Sequence, residues 1–192
     1  MRRLYRPECP NPLAVRTNYK HPDNKLALQK CSHDKCMYCE SKVSHVYFGD
    51  VEHIRPKAQD KYPDLEFEWT NHGYCCARCN NHKKDQFDND CPLLDPYSED
   101  PNAHILAFGS LLRHKAGSER GQLTISTIGL NRADLIEQRT IRISELQNAI
   151  DACFRTSSKS VRDTLLSALT LEREAEKEFS MVADALLTAN DL

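Results

Sequence analysis

The spacing of hydrophobic and polar positions changes along the chain, and each change predicts a different kind of structure. Residues 1 to 30 show no sustained period and carry Pro7, Pro10, Pro12 and Pro22. They predict an irregular arm followed by a short helix near Asn24 to Lys30. From Val43 to Ile54 apolar residues crowd into a strand-like run interrupted at Gly49-Asp50. This predicts a hairpin with Val51 to Ile54 as its second arm, ended by Pro56. Lys57 to Glu68 is a polar loop, Trp69 to Cys75 returns as a second apolar stretch, and Arg78 to Phe87 suits a short helix. Residues 88 to 104, with three prolines, form a turn-rich connector. Beyond it the period becomes helical. Asn131 is a good N-cap for a helix whose stripe includes Leu135, Ile136, Arg139, Ile143, Leu146 and Ile150. After the polar break Thr156 to Ser160, a second helix is expected from about Val161 to Leu187, with Leu165, Leu169, Phe179, Val182 and Leu186 among its apolar positions. No internal repeat interrupts this order. The expectation is an α+β protein with an arm over 1–30, a compact core over 31–90, and a connector with a mostly helical extension over 91–192.

The 192 residues are 40% hydrophobic and 28% charged, and no apolar run approaches the length of a membrane span. The basic start, MRRLYRPECPNP, lacks the apolar centre of a secretory signal, so a cytoplasmic protein is expected. In that setting nine cysteines argue for a metal rather than disulfides, because four of them form two Cys-x-x-Cys pairs, Cys36/Cys39 and Cys76/Cys79. Four thiolates suit tetrahedral zinc. Such an ion would pin both ends of the intervening segment, residues 40 to 75. Cys75 could replace Cys76, and Cys31 is a further possible substitute. Cys9, Cys91 and Cys153 have no partner at useful spacing.

Inside this frame lie the residues with usable chemistry. Glu52 and His53 are adjacent at the end of the apolar run, with Asn71, Asn80, His82 and Lys83 downstream. A hard divalent ion, Mg²⁺ or Mn²⁺, takes oxygen ligands, and a Glu52 carboxylate with an Asn80 amide oxygen could hold it by one edge. His53, with an ordinary pKa of about 6.5, suits proton abstraction from water. Neighbours on an extended chain point to opposite sides, so the carboxylate and imidazole could flank one scissile phosphate. Asp50, on the predicted turn, competes for the acidic role, and His82 is a second candidate ligand. His33, His45, His72, His104 and His114 have no such context and are expected to be structural or exposed.

Cys-x-x-Cys, then VEHIRP, then Asn71-x8-Asn80-x-x-Lys83 resembles the HNH endonucleases, the ββα-metal nucleases. The resemblance spans about Cys36 to Phe87. It implies a hairpin and helix carrying Glu52 as metal ligand, His53 as general base and Asn71 as the loop-bracing asparagine. It further implies Asn80 as the helix ligand and Lys83 as a basic residue of the site. Glu52 departs from the more usual Asp or His by its length. The downstream stretches CPLLDPYSEDPNAHILAF and LTISTIGLNRADLIEQR resemble the small HNH effectors of Septu and retron antiphage systems. That likeness implies a defence nuclease working with a PtuA-like ATPase.

Charge tempers the expectation for substrate. The net charge is −2, and residues 52 to 85 hold six basic and six acidic side chains. Unaided binding to nucleic acid should therefore be weak. Arg2, Arg3 and Arg6 could extend a phosphate path or form a solvated basic arm. DNA is the favoured substrate; cleavage of tRNA and an inactive zinc-stabilised adaptor are the alternatives. The apolar stripes of the later helices could pack on the core or meet a partner.

Overall fold

The computed structural model describes residues 1–43 and 49–192. Two short helices, α1 (Pro12–Val15) and α2 (Pro22–Cys31), each open with proline in the first turn. There a missing N–H costs nothing. Strand β1 (Asp50–His53) pairs antiparallel with β2 (His72–Cys75), placing Glu52 opposite Gly73 and His53 opposite His72. The chain turns directly into α3 (Ala77–Lys83), whose N-cap is Cys76. A hairpin of β3 (Ile105–Phe108) and β4 (Leu111–His114) follows. Then come α4 (Glu119–Ile128), α5 (Ala133–Arg155), α6 (Lys159–Leu171) and α7 (Ser180–Ala189). The mixed helical and antiparallel architecture is the α+β class expected.

The main core draws on the whole length of the chain. Met1, Leu4, Leu28, Tyr38, Val51, Tyr74, Leu94, Ile105, Ile128, Leu135 and Val182 belong to one buried cluster. A second cluster, with Leu146, Ile150, Leu169 and Leu187, joins the distal half of α5 to α6 and α7. The arm is tied down by hydrogen bonds. Arg6 donates to the carbonyls of Trp69 and His72, Trp69 Nε1 donates to Pro7 O at 3.0 Å, and Leu4 N donates to Pro96 O at 2.8 Å. Arg2 likewise bonds the carbonyls of Arg173 and Ser180. Arg2 and Arg6 therefore hold the fold together, which corrects the reading of a basic arm laid out for phosphate.

Several expected elements differ. The described partner of β1 is His72–Cys75; the first arm of the expected hairpin, with His45, falls in residues 44–48, outside the described residues. Helix α3 stops at Lys83 rather than Phe87, because Lys84 takes a positive φ of 50°. Asn131 does not cap α5. Its amide instead spans β4, accepting from Leu112 N and donating to Leu112 O, both at 2.8 Å. The expected single helix over 161–187 is two helices. Between them Lys35 Nζ takes the Lys177 carbonyl at 2.8 Å, Glu178 accepts from Lys42 N at 2.8 Å, and Phe179 turns left-handed at φ 51°. None of the helices is long and apolar enough to cross a membrane among the described residues.

Candidate active site

Cys36, Cys39, Cys76 and Cys79 converge, their sulfurs all within 4.8 Å of one another. The Cys39 and Cys76 sulfurs are 3.9 Å apart. Bonds of about 2.3 Å to a central zinc set the edge of a sulfur tetrahedron at about 3.8 Å, so the donor set fits that ion. Burial pushes the Cys36 thiol up, hydrogen bonds from the neighbouring thiols hold Cys39 down, and four ionised sulfurs this close would repel one another without a cation among them. Outer contacts are in place: Cys79 N donates to Cys76 Sγ at 3.4 Å, and Arg132 Nη1 stands 3.4 Å from Cys79 Sγ. The Cys76 sulfur thus caps α3 and joins the cluster at once. Cys75 does not ligate; its buried sulfur faces Glu52 Oε2 at 3.9 Å. Cys31 bonds Leu28 O instead.

The cluster locks α3 to the sheet, and on that junction the polar residues gather. Glu52 is 2% exposed and Lys83 1%. Lys83 Nζ lies 2.7 Å from Glu52 Oε1, an ion pair by distance though off the line of a well-aligned hydrogen bond. The same ammonium donates to the His53 carbonyl at 2.8 Å. Burial pushes the Glu52 carboxyl up, and Lys83 opposes that shift. The hydrogen-bond partner of Asn80 is Asp50, with Nδ2 donating to Oδ2 at 3.2 Å. Asn80 and Glu52, expected to share one ion, have separate side-chain partners here: Asn80 bonds Asp50, and Glu52 pairs with Lys83. Lys83 is thus beneath the site, with no surface for substrate.

His53 occupies the other face of β1. Its Nε2 is 2.9 Å from the Glu66 carbonyl, and His72 Nε2 approaches the same oxygen at 2.9 Å. A carbonyl only accepts, so Nε2 carries the hydrogen of the neutral His53 ring and Nδ1 keeps the lone pair. Burial lowers the His53 pKa to about 4, leaving the ring neutral near pH 7. Asn71 braces the loop behind it. Its Oδ1 accepts from Arg55 N at 2.8 Å, and its Nδ2 donates to Arg55 O and Leu65 O at 2.9 and 3.1 Å.

Asp50, Glu52, His53 and Asn80 line one open pocket of about 390 Å³. Two carboxylates and an amide oxygen are hard donors, so this set fits a divalent ion such as Mg²⁺. His82 is not part of it: its ring packs toward Gly129, where an added Cβ would stand 3.0 Å from His82 Cε1. Sequence reasoning passed over Tyr19, which lines the pocket, and His72, which is buried against His53. The strand register could have found His72, since the two histidines face each other across β1 and β2.

Comparison with known proteins agrees with this geometry. The HNH endonuclease family matches residues 36–86. The Septu protein PtuB of Bacillus thuringiensis is 31% identical over 186 residues, covering 88% of this chain and 70% of the relative. The Septu protein PtuB of Bacillus mycoides is 30% identical over 150 residues, covering 63% of this chain and 51% of the relative. A retron Vc95 putative HNH endonuclease of Vibrio cholerae is 30% identical over 125 residues, covering 58% of each. The zinc-fitting cysteine cluster, the histidine held by a carbonyl and a likeness that covers 88% of this chain lead to one conclusion: the chain belongs to the HNH endonucleases, in the family of the Septu PtuB proteins, and is a nuclease.

Proposed function

We propose that the chain is the effector nuclease of an antiphage defence complex and hydrolyses phosphodiester bonds of DNA. His53 is the general base; Asn80 with Glu52 and Asp50 holds a catalytic Mg²⁺ or Mn²⁺; the four cysteines hold a structural Zn²⁺. The observation that carries this reading is the shared pocket. Asn80 and two carboxylates lie on one flank, and on the other is a histidine whose Nε2 is already committed to the Glu66 carbonyl. When bound, the divalent cation neutralises charge on the phosphate and on the departing oxygen. The residues supply the rest. His53 Nδ1 takes the proton of the attacking water, and the ring's low proton affinity means it starts neutral. Lys83 fixes the Glu52 carboxylate and the His53 backbone together. Asn71 keeps Arg55 and the Glu66 loop in register. Lys83 and Asn71 act through other groups and are positioning residues.

The partner in this reading is a PtuA-like ATPase. The net charge of −2 gives little attraction to nucleic acid, so a second protein is needed to gather and release substrate. The likeness to Septu PtuB proteins supports that choice, and tRNA is the alternative substrate, because the residues that line the pocket do not distinguish a 2′-hydroxyl. The test is co-purification with the ATPase followed by cleavage of supercoiled plasmid and of tRNA in Mg²⁺ or Mn²⁺, with His53→Ala as control. Plasmid cutting that disappears in His53→Ala supports the proposal. Cutting of tRNA alone replaces the substrate, and equal cutting by both proteins removes His53 as base.

A further inference from the structure

The segment that matches the HNH family begins at residue 36, yet part of the pocket wall comes from the arm before it. Tyr19 meets the His53 ring edge-on, with centroids 4.6 Å apart and planes at 70°. His72 meets the same ring from its own side at 4.9 Å and 90°. The turn that presents Tyr19 is itself fixed: Asn18 N donates to Ala14 O at 2.9 Å, and Lys20 N donates to Asn18 Oδ1 at 3.0 Å. Lys57 Nζ stands 4.2 Å from the Tyr19 ring centroid while pairing with the Glu66 carboxylate at 2.5 Å. The loop that supplies the carbonyl for His53 is therefore joined to the same tyrosine.

One hydrogen bond does not fix an imidazole. A ring held only through Nε2 can still turn about its side-chain torsions and slide off the acceptor. Two aromatic neighbours at contact distance remove that freedom. His72 cannot do this alone, because it shares the Glu66 carbonyl with His53 and bears on one side only. Tyr19 supplies a second contact, roughly perpendicular to the first, with its ring centroid 5.9 Å from that of His72, and it is half-buried at the pocket rather than deep in the core.

We propose that Tyr19 is a positioning residue of the nuclease site, an arm-borne ring that with His72 holds the His53 imidazole so that Nε2 serves the Glu66 carbonyl and Nδ1 remains the basic nitrogen. The proposal rests on the assignment of His53 as base. It extends the working site beyond the matched HNH segment to the N-terminal arm.

The test uses the full zinc-loaded chain, alone for spectroscopy and co-purified with the ATPase for cleavage in Mg²⁺ or Mn²⁺, with Tyr19→Leu, Tyr19→Phe and His53→Ala. Nitrogen-15 NMR of the histidine rings reads which His53 nitrogen carries the hydrogen, independently of turnover. In wild type and Tyr19→Phe the hydrogen is on Nε2; in Tyr19→Leu the two nitrogens move toward averaged shifts. In the plasmid assay Tyr19→Leu lowers kcat by about 10- to 100-fold with KM within about twofold, as misplacement of a reacting group does, and Tyr19→Phe restores the rate. If Tyr19→Leu fails to hold zinc, Tyr19→Met, which fills the space without an aromatic edge, takes its place in both measurements. Wild-type nitrogen shifts and wild-type kcat in the leucine or methionine variant overturn the proposal. His53→Ala separates the two levels. Its inactivity beside an unaffected Tyr19→Leu defeats the positioning role alone, whereas its full activity defeats the base assignment on which that role depends.

Discussion

Replacing Lys83 with methionine tests whether the floor of the site is held by charge. The ammonium is 1% exposed, 2.7 Å from Glu52 Oε1 and 2.8 Å from the His53 carbonyl, and the Glu52 side chain is 2% exposed. Methionine keeps most of the stem and removes the cation, so a buried carboxylate loses the charge that offsets its desolvation. Breaking such a pair from one side costs about 3–5 kcal/mol. For a chain of this length 1 kcal/mol moves Tm by about 2–4 °C, so Lys83→Met should melt about 6–20 °C below wild type. Adding Glu52→Gln removes the orphaned carboxylate and should recover about 2 kcal/mol, a coupling that additive losses would not produce. The pH dependence has a definite sign. Without Lys83 the Glu52 pKa rises further above its unfolded value, so the folded state takes up a proton first as pH falls. The deficit of Lys83→Met should therefore be smaller at about pH 5 than at about pH 8. The assay is thermal unfolding by circular dichroism on zinc-loaded protein without added divalent ion. A Tm for Lys83→Met within about 2 °C of wild type at both pH values would refute the buried pair.

Other consequences follow from the same geometry. Cys79→Ser should hold less than about half a zinc per chain and lose cooperative unfolding, whereas Cys75→Ser keeps its zinc; metal analysis and calorimetry check both. An NMR titration should find His53 protonating near pH 4 rather than near its ordinary 6.5. Because the unfolded chain takes that proton first, the contribution of His53 to stability is complete above about pH 6.5 and is lost as pH falls toward 4. Asn71→Ala removes three hydrogen bonds, worth about 1 kcal/mol each, and should cost about 2–4 kcal/mol in urea unfolding while lowering kcat.

The site was largely legible because its chemistry is local. The Cys-x-x-Cys spacing marked the metal cluster, and Glu52-His53 with Asn80 marked the pocket. What the sequence hid was the pairing, since Asp50 and Glu52 share one face of β1 and only the placement of α3 decides which of them meets Asn80. The arm's share was hidden for the same reason: nothing near Tyr19 announces that it will reach a histidine in the next segment. In the fold, the hairpin at 105–114 gave no clean alternation, because Leu106 and Phe108 remain partly or largely exposed while Ile105 is buried. The stretch Glu172 to Glu178 is rich in helix-forming residues, yet its carbonyls at Arg173 and Lys177 are claimed by Arg2 and Lys35, and its Glu178 carboxylate accepts from Lys42 N. Tertiary contacts overrode propensity there, and an intact helix over 161–187 would forfeit them.

The most direct test is the anomalous difference map of a crystal of the zinc-loaded His53→Ala chain grown with an oligonucleotide and Mn²⁺. The account predicts a manganese peak apart from the four-cysteine ion, within about 2.0–2.3 Å of Asn80 Oδ1 and of a carboxylate oxygen from Asp50 or Glu52, with a phosphate oxygen completing it. A map whose only ion lies among the cysteines, or whose manganese sits away from Asn80, would contradict it.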